Sequence, residues 1–440
     1  MPGNVPPVSR SKLLIDLEPL RTYRQFRLLW TGFLIRTIGN QLTVVAVPFE
    51  VYKLTHSSLD VGLVSLAQIG PLLIGSLLGG TIVDAFERRA LLILTQVLLA
   101  STSLGLALNA GYAKPALWPI FLCSALAAGY QGVDSPASTA LVVSVVGRDG
   151  IVGANALWQA LFSAGQIAGP AVAGLLLARI SINYVFWIDV IAYGASLVAV
   201  LRMGRPPAIV RDTPRELGFK AMLGGLRYLK GHQPLQGIFL GDLVAMTLGM
   251  PRALFPALGL GRFHGGAGAV GLLYAAPGVG ALAGALVTGW VRNVTHQGRA
   301  VMWAVAGWGV AITLFGLCPW LWPALVLLGI AGASDVFSAV FRGSILQLET
   351  PPDLLGRMQA VQIAVVTGGP RVGDLEHGIV AAIAGPVTAV VSGGLACVAG
   401  VALLARALPR FTNLALDTAK RSRTVIHEGD GVNVREPKDE

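Results

Sequence analysis

Stretches of about 20 mostly apolar residues, the length of helix that crosses a bilayer, recur along almost all of this 440-residue chain. Twelve can be delimited, near 27–50, 60–83, 90–112, 117–143, 152–178, 184–202, 235–258, 269–290, 300–317, 322–346, 357–382 and 386–406. Lipid offers no water to an unpaired backbone group, so runs of this length have to be helices. The expected class is an all-α membrane protein. Composition agrees: 13% of the residues are charged, against roughly 25% in a soluble globular protein.

The longest polar interruption, 203–234, divides the spans six plus six. The reading is an N-terminal segment 1–26, a six-helix half 27–202, a linker 203–234, a second half 235–406 and a disordered tail 407–440. In the linker, Thr213, Pro214 and Glu216 form a capping box with proline at the first helical position, which predicts a short amphipathic helix on the membrane surface. Leaving aside Arg36, Arg252, Arg342 and Arg371 within the spans, 25 basic residues fall on one side and four, Lys53, Lys114, Arg179 and Arg262, on the other. By the positive-inside rule the majority side is cytoplasmic, with both termini inside. The net charge of +10 therefore marks topology and contact with anionic lipid; no nucleic-acid partner is expected. Cys123, Cys318 and Cys397 lie in apolar runs, so neither a disulfide framework nor a metal site is expected. The polar, proline-containing start is not read as a cleavable signal peptide.

The halves carry an internal repeat. VGLVSLAQIGPLLIGSLLGG (61–80) lies over VGLLYAAPGVGALAGALVTG (270–289) at an offset of 209, pairing Gly62 with Gly271. Two similar halves related by an axis along the membrane normal are an arrangement of secondary transporters.

After the second span comes GGTIVDAFERRALLI (79–93), with Asp84, Arg88 and Arg89 in a very short turn. This resembles the charged loop of the major facilitator superfamily, although Ala85 and Glu87 depart from its usual residues and Asn293 stands at the repeat position of Asp84. The resemblance implies a cytoplasmic gate between the halves; the plain alternative is a positive-inside stop. GQIAGPAVAG (165–174) resembles that superfamily's antiporter element, with Gly165, Gly169, Pro170 and Gly174 in its positions. Glycines there permit close helix approach and the proline bends the helix; ordinary small-residue packing is the other reading. Further stretches, including AVPFEVYKLTHSSLDVGLV (46–64) and LQLETPPDLLGRMQAV (346–361), resemble the enterobactin exporter-like branch over about 20–405. The resemblance implies the major facilitator fold, a monomer in the plasma (inner) membrane, a small-molecule substrate and no cofactor. It favours export of a siderophore or drug-like molecule, that is, efflux and multidrug resistance.

A charge at mid-bilayer costs roughly 2.5–3.5 kcal/mol on insertion scales, so each needs a partner or a wet cavity. Arg36, with Asn40 one turn on, Asp134, Asp335 and Arg342 fall in the first, fourth and tenth spans, which by the resemblance line a central cavity. They are the expected central site, with Asp134 and Asp335 as proton carriers; static ion pairs are the alternative. Asp189 and Asp242 are placed near the two surfaces and set aside.

The segment VVTGGPRVGDLEHG (365–378) looks like a loop, but Arg357 to Arg406 is only 50 residues and two spans need about 40. Its charges must lie inside the eleventh span, with the turn near Gly385–Pro386. GGPRVGD (368–374) lies over AGPAVAG (168–174) at an offset of 200, Asp374 standing where the fifth span has Gly174. Their spacing of three predicts an Arg371–Asp374 pair. With Arg252 this makes an expected outer gate or substrate-orienting site.

The functional expectation is proton-coupled export by alternating access. Uptake or lipid movement by the same fold, and a non-transporting sensor, remain alternatives. No H-E-x-x-H, G-x-S-x-G or Walker loop is present, so an enzyme is not expected.

Overall fold

The computed structural model describes residues 17–204, 219–351 and 354–415. The spanning helices are α1 (Arg24–Thr55), α2 (Ser58–Ala85), α3 (Arg88–Gly111), α4 (117–146), α5 (Gly150–Arg179) and α6 (Ile182–Leu201), then α7 (Gln233–Leu248), α8 (Gly266–Leu286), α9 (Gln297–Leu317), α10 (Leu321–Glu349), α11 (Leu355–Ala384) and α12 (Pro386–Ala407). Nine segments among the described residues are long and apolar enough to cross a membrane by composition alone. The spans outside that set, α1, α4 and α11, carry Arg36, Asp134, and Arg371 with Asp374. The helices that least resemble membrane spans thus carry four of the seven charged candidates for the central and outer sites.

Breaks in the helices have local causes. The α4–α5 chain turns at Gly147, whose φ of 65° favours a residue without Cβ. α11 runs through 365–378 without interruption and stops at Gly385, at φ 86°, before Pro386 opens α12. The charged segment is therefore inside a span. The seventh span, expected as one helix over 235–258, is not: α7 stops at Leu248, and a 3-10 turn (Arg252–Leu254) and a π turn (Leu258–Arg262) follow. Pro251 and Pro256 lack the backbone N–H that would continue the ladder.

The tail boundary also needs correction. Residues 407–415, expected to be disordered, include a short helix (Pro409–Thr412) that buries Phe411 completely. A Cβ on Gly237 or Gly298 would collide with Phe411, so two glycines make its socket. An apolar ring of this size anchors a terminus firmly. The linker helix is described as Phe219–Leu229. Thr213, Pro214 and Glu216 lie outside the described residues, as do 416–440.

Helices from the two halves meet along α2–α11 and α5–α8. On the α2–α11 line, Gly62 lies against the Asp374 backbone, where a Cβ would come within 2.5 Å of its carbonyl oxygen. On the α5–α8 line, a Cβ on Gly174 would come within 2.6 Å of Gly271 Cα. The repeat pairs Gly62 with Gly271 and Asp374 with Gly174, so these are one crossing made twice. Both lie at the end predicted to be outer, and there the backbones touch directly, as small residues permit.

Candidate functional site

Just inside these crossings a cavity of about 290 Å³ lies between the halves. Its wall includes Asn40, Gln131 and Asp189 from the first half and Arg252, Arg371 and Asp374 from the second. Asn40 is fixed by Gln131, whose Nε2 donates to its Oδ1 at 2.9 Å. Of the expected central site, Asn40 alone lines this cavity.

Arg36, Asp134, Asp335 and Arg342 do not converge; they form two clusters, one in each half. Arg36 Nη1 reaches Asp134 Oδ2 at 2.6 Å, and its Nη2 donates to Ser138 Oγ at 3.1 Å. Thr95 Oγ1 donates to the other carboxylate oxygen at 2.8 Å, and the Phe33 ring lies 4.7 Å under the guanidinium. A buried ion pair is tolerable when its remaining donors and acceptors are occupied, as here. In the second half Arg342 grips Asp242 with Nη1 and reaches Asp335 Oδ1 with Nη2 at 3.4 Å. Asp242, set aside as near a surface, is thus buried and the closer partner. Asp335 keeps a side chain 35% exposed.

The polarity of the pairs is reversed. The first half puts arginine on its first helix and aspartate on its fourth; the second puts aspartate on α7 and arginine on α10. Each half closes its own charge, so the halves can move relative to each other without breaking either pair.

Asp189 also corrects its expected place. It is 1% exposed and accepts from Thr43 Oγ1 at 2.7 Å and Ser103 Oγ at 2.8 Å, joining α1, α3 and α6. A carboxyl between apolar neighbours in FWIDVIAYG was the available signal; its position near a helix start had placed it in water.

Arg371 and Asp374 do not pair. Asp374 Oδ2 accepts from Ser65 Oγ at 2.7 Å, and Oδ1 accepts from the Ala253 N–H at 3.1 Å. That N–H belongs to the break after α7, so Asp374 caps a broken helix and bridges to α2 of the other half. Arg371 Nη1 donates to Thr367 O at 2.6 Å, and its Nε faces Gln68 Oε1 at 3.4 Å. Neighbours on one helix compete poorly with a buried backbone donor left without a ladder partner, which no spacing rule reveals.

The expected antiporter bend packs on α1. A Cβ on Gly165 or Gly169 would meet Thr37 or Gln41, and Gln41 Nε2 donates to Gly165 O at 3.3 Å. At the opposite membrane face Arg89 caps the end of α6, donating to Val200 O at 3.2 Å and Leu201 O at 2.9 Å. Arg88 Nη1 donates to Ala140 O at 3.2 Å. These bonds stay inside the first half; the Asp84 side chain lies outside the described residues.

A bundle of spanning helices with a cavity between two repeated halves is the architecture of a membrane transporter of the major facilitator superfamily. The sequence profile of the family described as "Transmembrane secretion effector" matches residues 15–428, and the chain belongs to that family. The enterobactin exporter EntS of Salmonella typhi is 30% identical over 400 residues, covering 90% of this chain and 95% of the relative. EntS of Escherichia coli O1:K1 / APEC is likewise 30% identical over 400 residues, with the same coverage. Among solved structures, the nucleoside transporter NupG aligns with a TM-score of 0.71 at 13% identity, over 88% of this chain and 98% of NupG. A bacterial homologue of the lysosomal transporter Spinster, in an inward-facing and unoccupied conformation, aligns with a TM-score of 0.66 at 14% identity, over 93% and 98% of the two chains. The chain is a multi-pass plasma-membrane transporter and not an enzyme.

Proposed function

We propose that this protein exports a small amphipathic molecule, siderophore or drug-like, by proton-coupled alternating access. The carrying observation is the cavity shared by both halves and closed at one end by two repeat-related crossings. The basic-residue count supports cytoplasmic termini, so that the closed end is the outer one and the cavity belongs to an inward-facing state. Arg89 bonding within its own half fits a cytoplasmic gate, formed by Asp84, Arg88 and Arg89, that is open in this state. In this reading 27–202 and 235–406 rock as two units of a monomer, with lipid around them. Asp134 and Asp335 exchange protons beside their arginines; the exposed carboxyl of Asp335 is the one water reaches.

Everted vesicles test the proposal. With an acid interior they should accumulate labelled enterobactin, the substrate named for the relatives, and lose it when the pH gradient is collapsed. One-for-one exchange gives up to about tenfold accumulation per pH unit. Asp335→Asn should abolish this gradient-driven accumulation while downhill exchange survives. Movement out of the vesicles under the same gradient contradicts export, and binding without any movement would make the protein a sensor.

A further inference from the structure

The cavity wall formed by α11 and the break after α7 holds two arginines and one carboxylate, and that carboxylate is already occupied. Both oxygens of Asp374 are taken, by Ser65 and by the Ala253 N–H. Among the described residues neither Arg252 nor Arg371 has a carboxylate oxygen within the 4.0 Å of an ion pair. The Arg252 guanidinium makes no hydrogen bond there either; its backbone alone is used, the N–H donating to Met250 O at 2.9 Å and the carbonyl accepting from Tyr274 Oη at 3.0 Å. Arg371 spends Nη1 on its own helix and Nε on Gln68, and among the described residues Nη2 has no acceptor. The remaining carboxyl of the cavity, Asp189, is held on α6 by Thr43 and Ser103. Arg36 and Asp134 are closed on each other.

Cations within a membrane face the bundle interior and pair with something. Here the pairing partner is missing on a wall that opens to a cavity of about 290 Å³, near the lower end for small-molecule sites of roughly 300–1,000 Å³. Guanidinium forks match planar oxyanions. The rest of the lining mixes aliphatic side chains, among them Val61, Val64 and Leu106, with uncharged polar ones, among them Gln41, Gln131 and Gln166, and brings Tyr274 alongside Arg252.

We propose that Arg252 and Arg371 together bind the acidic head of an organic anion, a carboxylate, sulfonate or phosphate, whose uncharged body occupies the rest of the cavity. The inference rests on the transport reading and names the substrate class for the same cavity. Asp374 acts as a positioning residue: by capping Ala253 it holds the Arg252 turn at the wall.

The test uses the full chain in phosphatidylcholine nanodiscs and two probes of one shape, 2-naphthoate and its neutral isostere 2-naphthamide. Hydrogen bonds to a charged group contribute about 1.5–3 kcal/mol, so naphthoate should bind about tenfold or more tighter. In the Arg252→Gln/Arg371→Gln double variant the ratio should fall to near one with naphthamide affinity unchanged. Equal binding by the wild type, or a ratio that survives both substitutions, overturns the proposal. Should the glutamine pair fail to fold, Arg252→Lys/Arg371→Lys keeps the charge and should retain part of the preference; complete loss of preference in that folded variant overturns it. Adding phosphatidylglycerol should leave naphthoate affinity unchanged, whereas displacement would assign the site to a lipid headgroup and overturn the soluble-anion assignment. Absence of the anion preference in the wild type with enterobactin export intact refutes this inference alone, and inward transport with the wild-type preference intact refutes export alone.

Discussion

Arg342→Ala should remove most of the folded protein from detergent extracts, because it strands Asp242 in the bundle with no cation. Breaking a buried pair by deleting one partner costs about 3–5 kcal/mol, a large part of the roughly 5–15 kcal/mol that holds a typical protein folded. Arg36→Ala should behave alike, since Asp134 is as enclosed. The partners of Arg342 are not equivalent. Asp242 makes the closer contact and is buried, while Asp335 sits at 3.4 Å with a side chain 35% exposed. Asp242→Asn should therefore lower the midpoint of thermal inactivation clearly more than Asp335→Asn. The reversed polarity of the halves provides a rescue. Arg36→Asp with Asp134→Arg copies the arrangement of α7 and α10 into the first half and should regain much of what Arg36→Ala loses. If the swap is as unstable as the single variants, the Ser138 and Thr95 contacts rather than the ion pair hold this region.

Gly174→Leu should stop transport while leaving a folded protein. Its Cβ would already lie 2.6 Å from Gly271 Cα, so a side chain there can be housed only by parting α5 from α8 at this end. Overpacking costs about 1–3 kcal/mol, and here the cost falls on the state in which this end is closed. That shifts the balance between conformations by about 5–150-fold towards the one open at this end. Gly271→Leu should do the same, being the other side of the same contact. Gly62→Leu should act through the α2–α11 crossing, where the Asp374 carbonyl stands 2.5 Å from the added carbon. Normal transport by well-expressed Gly174→Leu would mean that the closure is not part of the cycle.

The spans were readable because the bilayer sets a length that folding must respect, and the 50 residues from Arg357 to Arg406 admitted one placement of the charges of α11. The equivalence of the two crossings was also legible: offsets of 209 and 200 pair residues that meet in the structure as Gly62 with Asp374 and Gly271 with Gly174. What the sequence hid were partners from other helices. Asp242 and Arg342 are 100 residues apart, and Ser65 and Asp374 are 309 apart. The Ala253 N–H that captures Asp374 is free only because two prolines break the seventh span. A spacing rule within one helix therefore proposed the Arg371–Asp374 pair; the fold instead ties Asp374 to α2 and the turn after α7, and Arg371 to the Thr367 carbonyl of its own helix. Asp189 departs from expectation for a related reason: depth along a span says nothing of which neighbour supplies hydroxyls, here Thr43 and Ser103.

The central claim is that the halves close alternately around one cavity, and two distances measured in the same membrane test it most directly. With Cys123, Cys318 and Cys397 replaced, one spin-label pair at Tyr112 and Trp320 reads the end predicted to be outer, and a second at Val152 and Leu286 reads the opposite end; all four positions are exposed. Gly174→Leu supplies the second conformation. Relative to the protein with Gly174 intact, it should lengthen the Tyr112–Trp320 distance and shorten the Val152–Leu286 distance. Distances that stay the same, or that lengthen together, would contradict alternating access about this cavity.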